Sequence, residues 1–359
     1  MINYTITQPQ KMINDNLIVK HLSGSKSYGT DIPESDTDYR GIFYANKINI
    51  VTPFFPIKEV IDFDEEDTKL YELTHFLKLC VDCNPNIVES LWVDPSHIIF
   101  KDSKGIYKKL IKYRSDFLST KIAHTYSGYA FAQLKRIKGH NKWITNPQSI
   151  NPPRQIDFIS LVQNFTDKKI FKFNLEELEK SSVSYRIIHL GSQINGIYES
   201  PGYSLYDKDF TLNNSVYDSN SGFLENNIPK YLVKYNKVEY NLALEKWKQY
   251  WEWKKNRNEK RSTLEEQFGY DTKHAMHLIR LLRTGYEVLT TGNINVYRKD
   301  HDELLAIRNG SMTYEEIINY ADDMDKKIKK VYNNSVLPKK VDKIKVANIL
   351  IEIQDLCWS

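Results

Sequence analysis

A short segment near the N-terminus constrains the fold of this 359-residue chain more than any other. Residues 22–43 read LSGSKSYGTDIPESDTDYRGIF: the pair Gly24-Ser25 follows an apolar-leaning run, and Asp36 and Asp38 precede a second apolar run. Alternate residues of a β-strand project to one face, so an Asp-x-Asp on a strand directs two carboxylates to one point. Adjacent carboxylates raise each other's pKa, and a hard divalent cation is the usual reason for placing them together.

The turn before these acids adds a second kind of binding group. Its backbone N–H groups and the Ser25 hydroxyl can bind phosphate oxygens. A Gly-Ser turn or an Asp-x-Asp alone is common for structural reasons, but the ordered spacing G-S-x-x-x-G-T, S-D-x-D and apolar strand is rare. A phosphate-binding turn beside metal-binding acids predicts phosphoryl or nucleotidyl transfer.

These motifs resemble the nucleotidyltransferase superfamily typified by DNA polymerase β, and especially its branch of RNA-repair-associated members, several of them carried by bacteriophages. The resemblance covers residues 17–92 and 245–340. It implies an α+β fold, in which a small mixed β-sheet core flanked by helices precedes a mostly helical C-terminal region with an inserted mixed segment. The predicted domains are a catalytic domain at 1–100, a helical cleft wall at 101–140, an insert without an assigned fold at 141–242 and a helical domain at 243–359.

The resemblance also implies a third carboxylate on a neighbouring strand. The segment DTKLYELTHFL, which begins at Asp67, is similar to the family's segment in which an acid precedes a short strand that runs into a helix. Asp67 would then share one face of that strand with Lys69 and Tyr71. Asp64 and Glu66, in the acidic stretch before it, remain alternatives.

The family's chemistry assigns a role to each of these groups. Asp36, Asp38 and Asp67 would bind two Mg²⁺ (or Mn²⁺) ions, one carrying the triphosphate and one lowering the pKa of the acceptor hydroxyl. Asp67 would help to hold the ion on the hydroxyl side.

The remaining N-terminal candidates would contact the phosphates. Gly24 would allow close backbone approach and Ser25 would bind the β- or γ-phosphate. Lys26 would add positive charge, unless it is an ordinary surface lysine. Arg40 lies on the face of the acids by alternation, so it would pair with them or meet the triphosphate.

A later helical segment supplies further candidates for the cleft. In GYDTKHAMHLIRLLR, Lys273, His277 and Arg280 share a narrow arc opposite the apolar face. The segment resembles the family's G-Y-D-x-K-H-x-x-H-x-x-R-L-L block, which implies that these three side chains line the triphosphate or acceptor cleft. His274 and His277 are three residues apart, but no carboxylate or third histidine in the sequence pattern completes a zinc set.

Two other helical patterns have competing interpretations. Gln133, Arg136 and His140 share one helix face, which is either a polar surface in water or a second wall of the nucleotide cleft. In EKWKQYWEWKKNRNEKR, tryptophans alternate with basic residues, as in surfaces that bind single-stranded nucleic acid. Trp247 and Trp251 are four residues apart, however, and we predict that both pack in a helix core.

Composition limits the class of protein. The net charge of +4 is too small to indicate nucleic-acid binding by itself. The cysteines Cys80, Cys83 and Cys357 are predicted to be buried and reduced, because no second pair accompanies the Cys-x-x-Cys. No apolar run reaches membrane-spanning length and no signal-peptide pattern is present, so we expect a cytoplasmic protein without a membrane partner.

The sequence therefore predicts an enzyme that transfers a nucleoside monophosphate from an NTP to a hydroxyl acceptor. The branch resemblance points to an RNA 3′ end, tRNA-like, as the acceptor in repair. Two alternatives stay open: adenylylation of a protein or small molecule, and a nucleotide-binding protein without turnover.

Overall fold

The computed structural model describes residues 13–61, 67–166, 173–215, 227–257 and 259–359. The chain forms two compact units, one made of residues 1–145 and 259–359 and the other of residues 146–258. The second unit is therefore inserted between two helical parts of the first. The alternative third acids Asp64 and Glu66 lie outside the described residues.

The first unit contains a five-stranded mixed sheet within the described residues, with spatial order β3-β4-β2-β1-β5. Strands β2 and β4 run parallel, whereas the other neighbouring strands pair antiparallel. The strands are β1 (Leu17–Ser23), β2 (Asp38–Phe43), β3 (Glu59–Ile61), β4 (Asp67–Glu72) and β5 (Ile98–Lys101).

Helices surround this sheet and continue through the C-terminal region, which agrees with the predicted α+β fold. Helices α7 and α8 belong to the second unit and the others to the first. In chain order they are α1 (Gly24–Tyr28), α2 (Lys47–Val51), α3 (Leu73–Val81), α4 (Pro85–Val88), α5 (Ile106–Lys112), α6 (Lys121–Thr145), α7 (Leu175–Glu179), α8 (Lys237–Lys255), α9 (Glu259–Phe268), α10 (Thr272–Thr291), α11 (His301–Arg308), α12 (Tyr314–Tyr332) and α13 (Lys343–Trp358).

Local sequence explains where the key helices begin. Strand β4 runs directly into α3, and the Glu72 side chain accepts hydrogen bonds from the first free N–H groups of that helix. Asp271 caps α10 by accepting from the backbone N–H of His274, 3.0 Å away. Thr313 and Glu316 form a capping box at the start of α12. These capping side chains fix the residues at which α3, α10 and α12 begin.

The long helices α6 and α10 pack closely against one another. A Cβ atom on Gly285 of α10 would lie 2.9 Å from the Cβ of Tyr126 on α6, so a glycine is required for this approach. Tyr126 is fully buried, and the apolar face of α10, including Ile279 and Leu282, is buried with it. This pair of helices forms the framework of the first unit.

The second unit has a sheet of its own. Its described strands have the order β6-β10-β8-β7-β9, and the core includes Ile187, Ile197 and Val233. The unit extends beyond the predicted insert at 141–242, because α8 belongs to it. The strands are β6 (Ile159–Asn164), β7 (Tyr185–Gly191), β8 (Ile194–Glu199), β9 (Asn214–Ser215) and β10 (Tyr231–Tyr235).

The tryptophans of α8 are partly buried rather than enclosed in a core. The indole N–H groups of Trp247 and Trp251 both donate to the carbonyl of Ser149, over 2.9 and 3.0 Å. The two rings thereby fasten the helix to the chain segment before β6. Trp247, Arg154 and Lys246 line a recess of about 1090 Å³ in this unit.

Two further predictions concern burial and length. Cys80, Cys83 and Cys357 are all buried, as predicted. In the described part of the chain, none of the helices combines the length and apolar character that spanning a bilayer requires.

Candidate active site

Two of the predicted acids are neighbours across parallel strands. Asp38 is the first residue of β2 and Asp67 is the first residue of β4, and the strand register pairs them directly. Side chains of paired residues project to the same face of a sheet, and adjacent strands are about 4.8 Å apart. The two carboxylates therefore converge at one edge of the sheet, which is the placement that the family resemblance implied, and their role in binding a metal stays a prediction.

The electrostatics of this pair disfavour two negative charges. Burial raises the pKa of Asp38 above its usual value, and the Asp67 carboxyl raises it further through a hydrogen bond and through its charge. The Arg40 guanidinium, on the same sheet face, opposes this shift. A divalent cation would remove the repulsion, so this donor set fits a hard metal ion bound by oxygen ligands.

Asp36 is placed differently from the prediction. The strand begins at Asp38, so Asp36 lies in the preceding loop and is exposed rather than aligned on β2 by alternation. Its charge still raises the pKa of Asp38. Among the described residues, the carboxylate oxygens of Asp36, Asp38 and Asp67 do not all lie within 4.8 Å of one another. A group of three possible ligand residues with that spacing lies elsewhere in the first unit.

The glycine of the Gly-Ser pair contacts the acid directly. Gly24 has φ +61°, a conformation that other residues rarely adopt, and a Cβ atom here would overlap the Oδ2 atom of Asp38. Ser25 is partly buried, and its carbonyl accepts from the backbone N–H of Thr30 over 2.9 Å, which closes the turn. The backbone at Gly24 is thus packed against Asp38, one member of the acidic pair.

The two basic candidates near this turn already have partners. The Lys26 ammonium donates to the Thr37 hydroxyl, in the loop just before β2. Arg40 Nη1 donates to the carbonyl of Asn86 over 2.7 Å. Lys26 therefore faces the loop of Asp36, and Arg40 faces α4.

A cavity of about 700 Å³ in the first unit brings several candidates together. Gly24 forms one side of it, so the cavity borders the acid pair, and α6 and α10 form other walls. Its polar lining residues are Tyr28, Arg40, Asn86, His124, Thr125, Tyr129, Gln133, Arg136, His277 and Arg280, and Gly24 lines it with its backbone. Gln133 and Arg136 thus line a cleft wall, which was one of the two interpretations of that helix face.

Arg280 is more than a cleft residue. Its Nη1 lies 3.1 Å from Glu89 Oε1 in a buried ion pair, and its guanidinium lies 3.7 Å above the ring of Tyr28. The hydroxyls of Tyr28 and Tyr126 also donate to Glu89, over 2.7 and 3.2 Å. Arg280 thus lines the cavity and also belongs to a buried network that joins α10 to the segment after α4, and its role toward the triphosphate or acceptor stays a prediction.

Lys273 and His277, which share a helix face of α10 with Arg280, differ in their position relative to the cavity. His277 lines the cavity, and burial together with Arg280 and Lys273 lowers its pKa well below the usual value. A neutral imidazole there can donate or accept a hydrogen bond. Lys273, one turn earlier on α10, is partly buried and is not among the residues that line this cavity.

Sequence reasoning missed His21 and Glu89. His21 is paired with Arg40 in the strand register and is 2% exposed. Burial lowers the pKa of His21 to about 4, although its Nδ1 lies 2.7 Å from the Leu22 carbonyl, a contact that favours the charged form. Alternation could have identified it, since His21 is two residues before Ser23 on the strand that leads to the turn. No local pattern marks Glu89.

The comparisons with known proteins agree with this geometry. Residues 4–146 match the model of the RNA repair pathway DNA polymerase beta family, RlaP. The resemblance inferred from the Gly-Ser and Asp-x-Asp motifs is confirmed for this part of the chain. The match indicates a nucleotidyltransferase-type function. It ends where the second unit begins, so the resemblance of residues 245–340 stays a prediction.

A curated relative is a phage protein without an assigned activity. The chain is 30% identical over 135 residues to the "Uncharacterized 38.9 kDa protein in nrdC-mobD intergenic region" of Enterobacteria phage T4. The alignment covers 34% of this chain and 39% of that protein, so it spans well under half of the relative's length. No solved structure matches the chain.

Proposed function

We propose that this protein is a metal-dependent, template-independent nucleotidyltransferase that moves a nucleoside monophosphate from an NTP to an RNA 3′ hydroxyl. One observation carries the proposal. Asp38 packs against Gly24 and is paired directly with Asp67, within the residues that match a polymerase-β-type RNA repair family.

The acids would hold Mg²⁺ or Mn²⁺. Asp38 and Asp67 supply adjacent carboxylates from one sheet edge, and Asp36 would complete the set from the loop before β2. A divalent ion bound there would supply charge stabilisation to the phosphates and lower the pKa of the acceptor hydroxyl. Asp67, the more exposed member of the strand pair, would accept the proton of that hydroxyl.

The cavity beside Gly24 would receive the nucleotide. Its volume of about 700 Å³ lies within the usual range for nucleotide-sized ligands. Arg40 and Arg136 can place positive charge near the triphosphate, while Gln133 and neutral His277 offer hydrogen bonds to a base or sugar. Gly24 permits the phosphates to approach the backbone.

The RNA acceptor rests on the description of the family. The family's link to RNA repair selects RNA among the possible hydroxyl acceptors. Labelled NTPs would be offered with Mg²⁺ to three acceptor pools: RNA with free 3′ ends, protein and small metabolites. We expect label on RNA 3′ ends only, lost when the RNA carries a 3′ phosphate.

The other outcomes have definite meanings. Label on protein or on a small molecule identifies an adenylyltransferase and overturns the RNA assignment. NTP-dependent thermal stabilisation without label in any pool identifies a binding protein without turnover. The variant Asp322→Asn, an exposed acid on α12, serves as a control that retains full transfer.

A further inference from the structure

A second group of metal-ligand side chains lies at the helix junction formed by the end of α6, the end of α9 and the start of α10. His140 comes from α6, Glu265 from α9, and Asp271 and His274 from the cap and first turn of α10. The junction is braced by Asn141, whose side-chain amide donates to the Gly269 carbonyl over 2.9 Å. Residues far apart in the sequence thus meet at one point.

Three residues of this group place ligand atoms close together, and His274 adjoins one of them, Asp271. One ligand atom each from His140, Glu265 and Asp271 lie within 4.8 Å of one another. Asp271 Oδ2 is 3.4 Å from His274 Nε2 and 3.9 Å from His140 Nδ1. Ligands bound tetrahedrally at about 2.0–2.1 Å from zinc are roughly 3.3 Å apart. The separations are therefore longer than ordinary hydrogen bonds and close to ligand–ligand distances.

Burial and charge favour a cation at this point. Glu265 and Asp271 are 4% and 3% exposed, and two buried carboxylates this close strongly favour a positive charge between them. Two imidazoles beside two carboxylates form a nitrogen–oxygen set that suits zinc-class transition metals better than Mg²⁺. The acid pair of the candidate active site, by contrast, has oxygen donors alone.

We propose that His140, Glu265 and Asp271 form a binding site for a transition-metal ion of the zinc class, with His274 beside it as a partner of Asp271. The site goes beyond the proposed function, because it uses none of the residues assigned to nucleotide transfer. The ion ties the turn between α9 and α10 to the end of α6, the helix that carries Gln133 and Arg136. It thus fixes the position of one wall of the cavity.

The test uses the full-length, untagged protein with Co²⁺ as a spectroscopic substitute for Zn²⁺. Excess Mg²⁺ is present, so that the oxygen-ligand site is occupied. We expect one equivalent of Co²⁺ to give the intense visible absorption of a four-coordinate ion, displaced by one equivalent of Zn²⁺. His140→Ala and Asp271→Asn should weaken binding by more than the roughly 10–100-fold that loss of an outer-sphere partner costs. Asparagine also caps helices, so Asp271→Asn preserves the start of α10.

Matched variants separate this site from the others. Glu265→Gln should weaken binding, whereas Glu266→Gln, at the exposed neighbouring position, should not change it. The double variant Asp38→Asn, Asp67→Asn should keep the Co²⁺ spectrum while it loses nucleotide transfer. Loss of the spectrum in that double variant overturns the assignment, as does a wild-type spectrum without four-coordinate bands. Retention of the bands in all three ligand variants also overturns it. The wild-type spectrum decides even if a ligand variant does not fold.

Discussion

The Oδ2 atom of Asp38 fills the space into which a side chain on Gly24 would project. Gly24 and Asp38 are therefore packed together, and the position of the Asp38 carboxylate depends on the absence of a Cβ atom at residue 24.

We predict that Gly24→Ala reduces nucleotide transfer by about 100-fold, because a displacement of about 1 Å in a reacting group can cost that much. The substitution also forces alanine into φ +61°, which costs roughly 1–2 kcal/mol of folding stability. Steady-state rates and urea denaturation measure the two effects. Gly139→Ala is the control: its Cβ meets open space on α6, so stability should rise slightly and activity persist.

The acid pair gives the most direct test of chemistry. Asp38→Asn and Asp67→Asn should each lower the transfer rate by on the order of 10²–10³-fold or more, because an amide cannot offset the charge of a bound cation. The unfolding free energy should be unchanged or slightly higher, since the substitution removes repulsion between the two carboxylates. We predict the same direction for Asp36→Asn. A normal rate in the Asp38 or Asp67 variant contradicts the metal assignment.

The ion pair between Arg280 and Glu89 should dominate local stability. Arg280→Met or Glu89→Gln leaves a buried partner without its counter-charge, at a cost of about 3–5 kcal/mol in the free energy of unfolding. Lys345→Ala breaks a surface pair with Asp116 of 2.7 Å and should change the free energy of unfolding far less, because water and salt screen exposed charges. Denaturant titrations compare them. Equal effects of the buried and surface variants would contradict the structural role of Arg280.

Burial of His21 makes stability depend on pH in the acidic range. The unfolded chain binds a proton at this residue below about pH 6.5, whereas the folded chain binds it only near pH 4. The contribution of His21 to the unfolding free energy should therefore fall by roughly 3 kcal/mol as the pH drops from 6.5 to 4 and stay constant at lower pH. His21→Gln should reduce this slope. Denaturation at several pH values measures it, and an unchanged slope in the variant would refute the assignment to His21.

The cavity wall on α6 should contribute to nucleotide binding. Arg136→Ala should raise the KM for NTP by about tenfold through loss of a charged hydrogen bond, with a smaller change in kcat. Lys135→Ala, at the exposed position beside it, should leave both constants unchanged. Identical kinetics of the two variants would place the nucleotide elsewhere.

The sequence could predict features that depend on neighbouring residues. The strand at Asp38 and the passage of the Asp67 strand into a helix follow from local patterns, and the structure contains them, whereas the residues predicted as a Gly-Ser turn begin the short helix α1. The pairing of Asp38 with Asp67 required the family resemblance, because the strand order of a sheet is not a local property.

Contacts between residues far apart in the chain could not be predicted from local sequence patterns. Spacing places Arg280 on the same helix arc as His277, but its partner Glu89 is 191 residues away. The zinc-class group was missed for the same reason: Asp271 lies at the cap of α10, but His140 and Glu265 come from other helices. Asp36 was misplaced because the strand begins two residues later than alternation implied.

The close approach of Gly285 to Tyr126 has a consequence for the cavity of about 700 Å³ that α6 and α10 line. Both α6 and α10 supply its walls, so their spacing fixes its width, and that spacing is set where the helices touch. A bulkier residue at position 285 would push the two helices apart and widen the cavity without altering any side chain that lines it. Ligand size is thus governed from inside the protein core, by a residue that a bound molecule never meets.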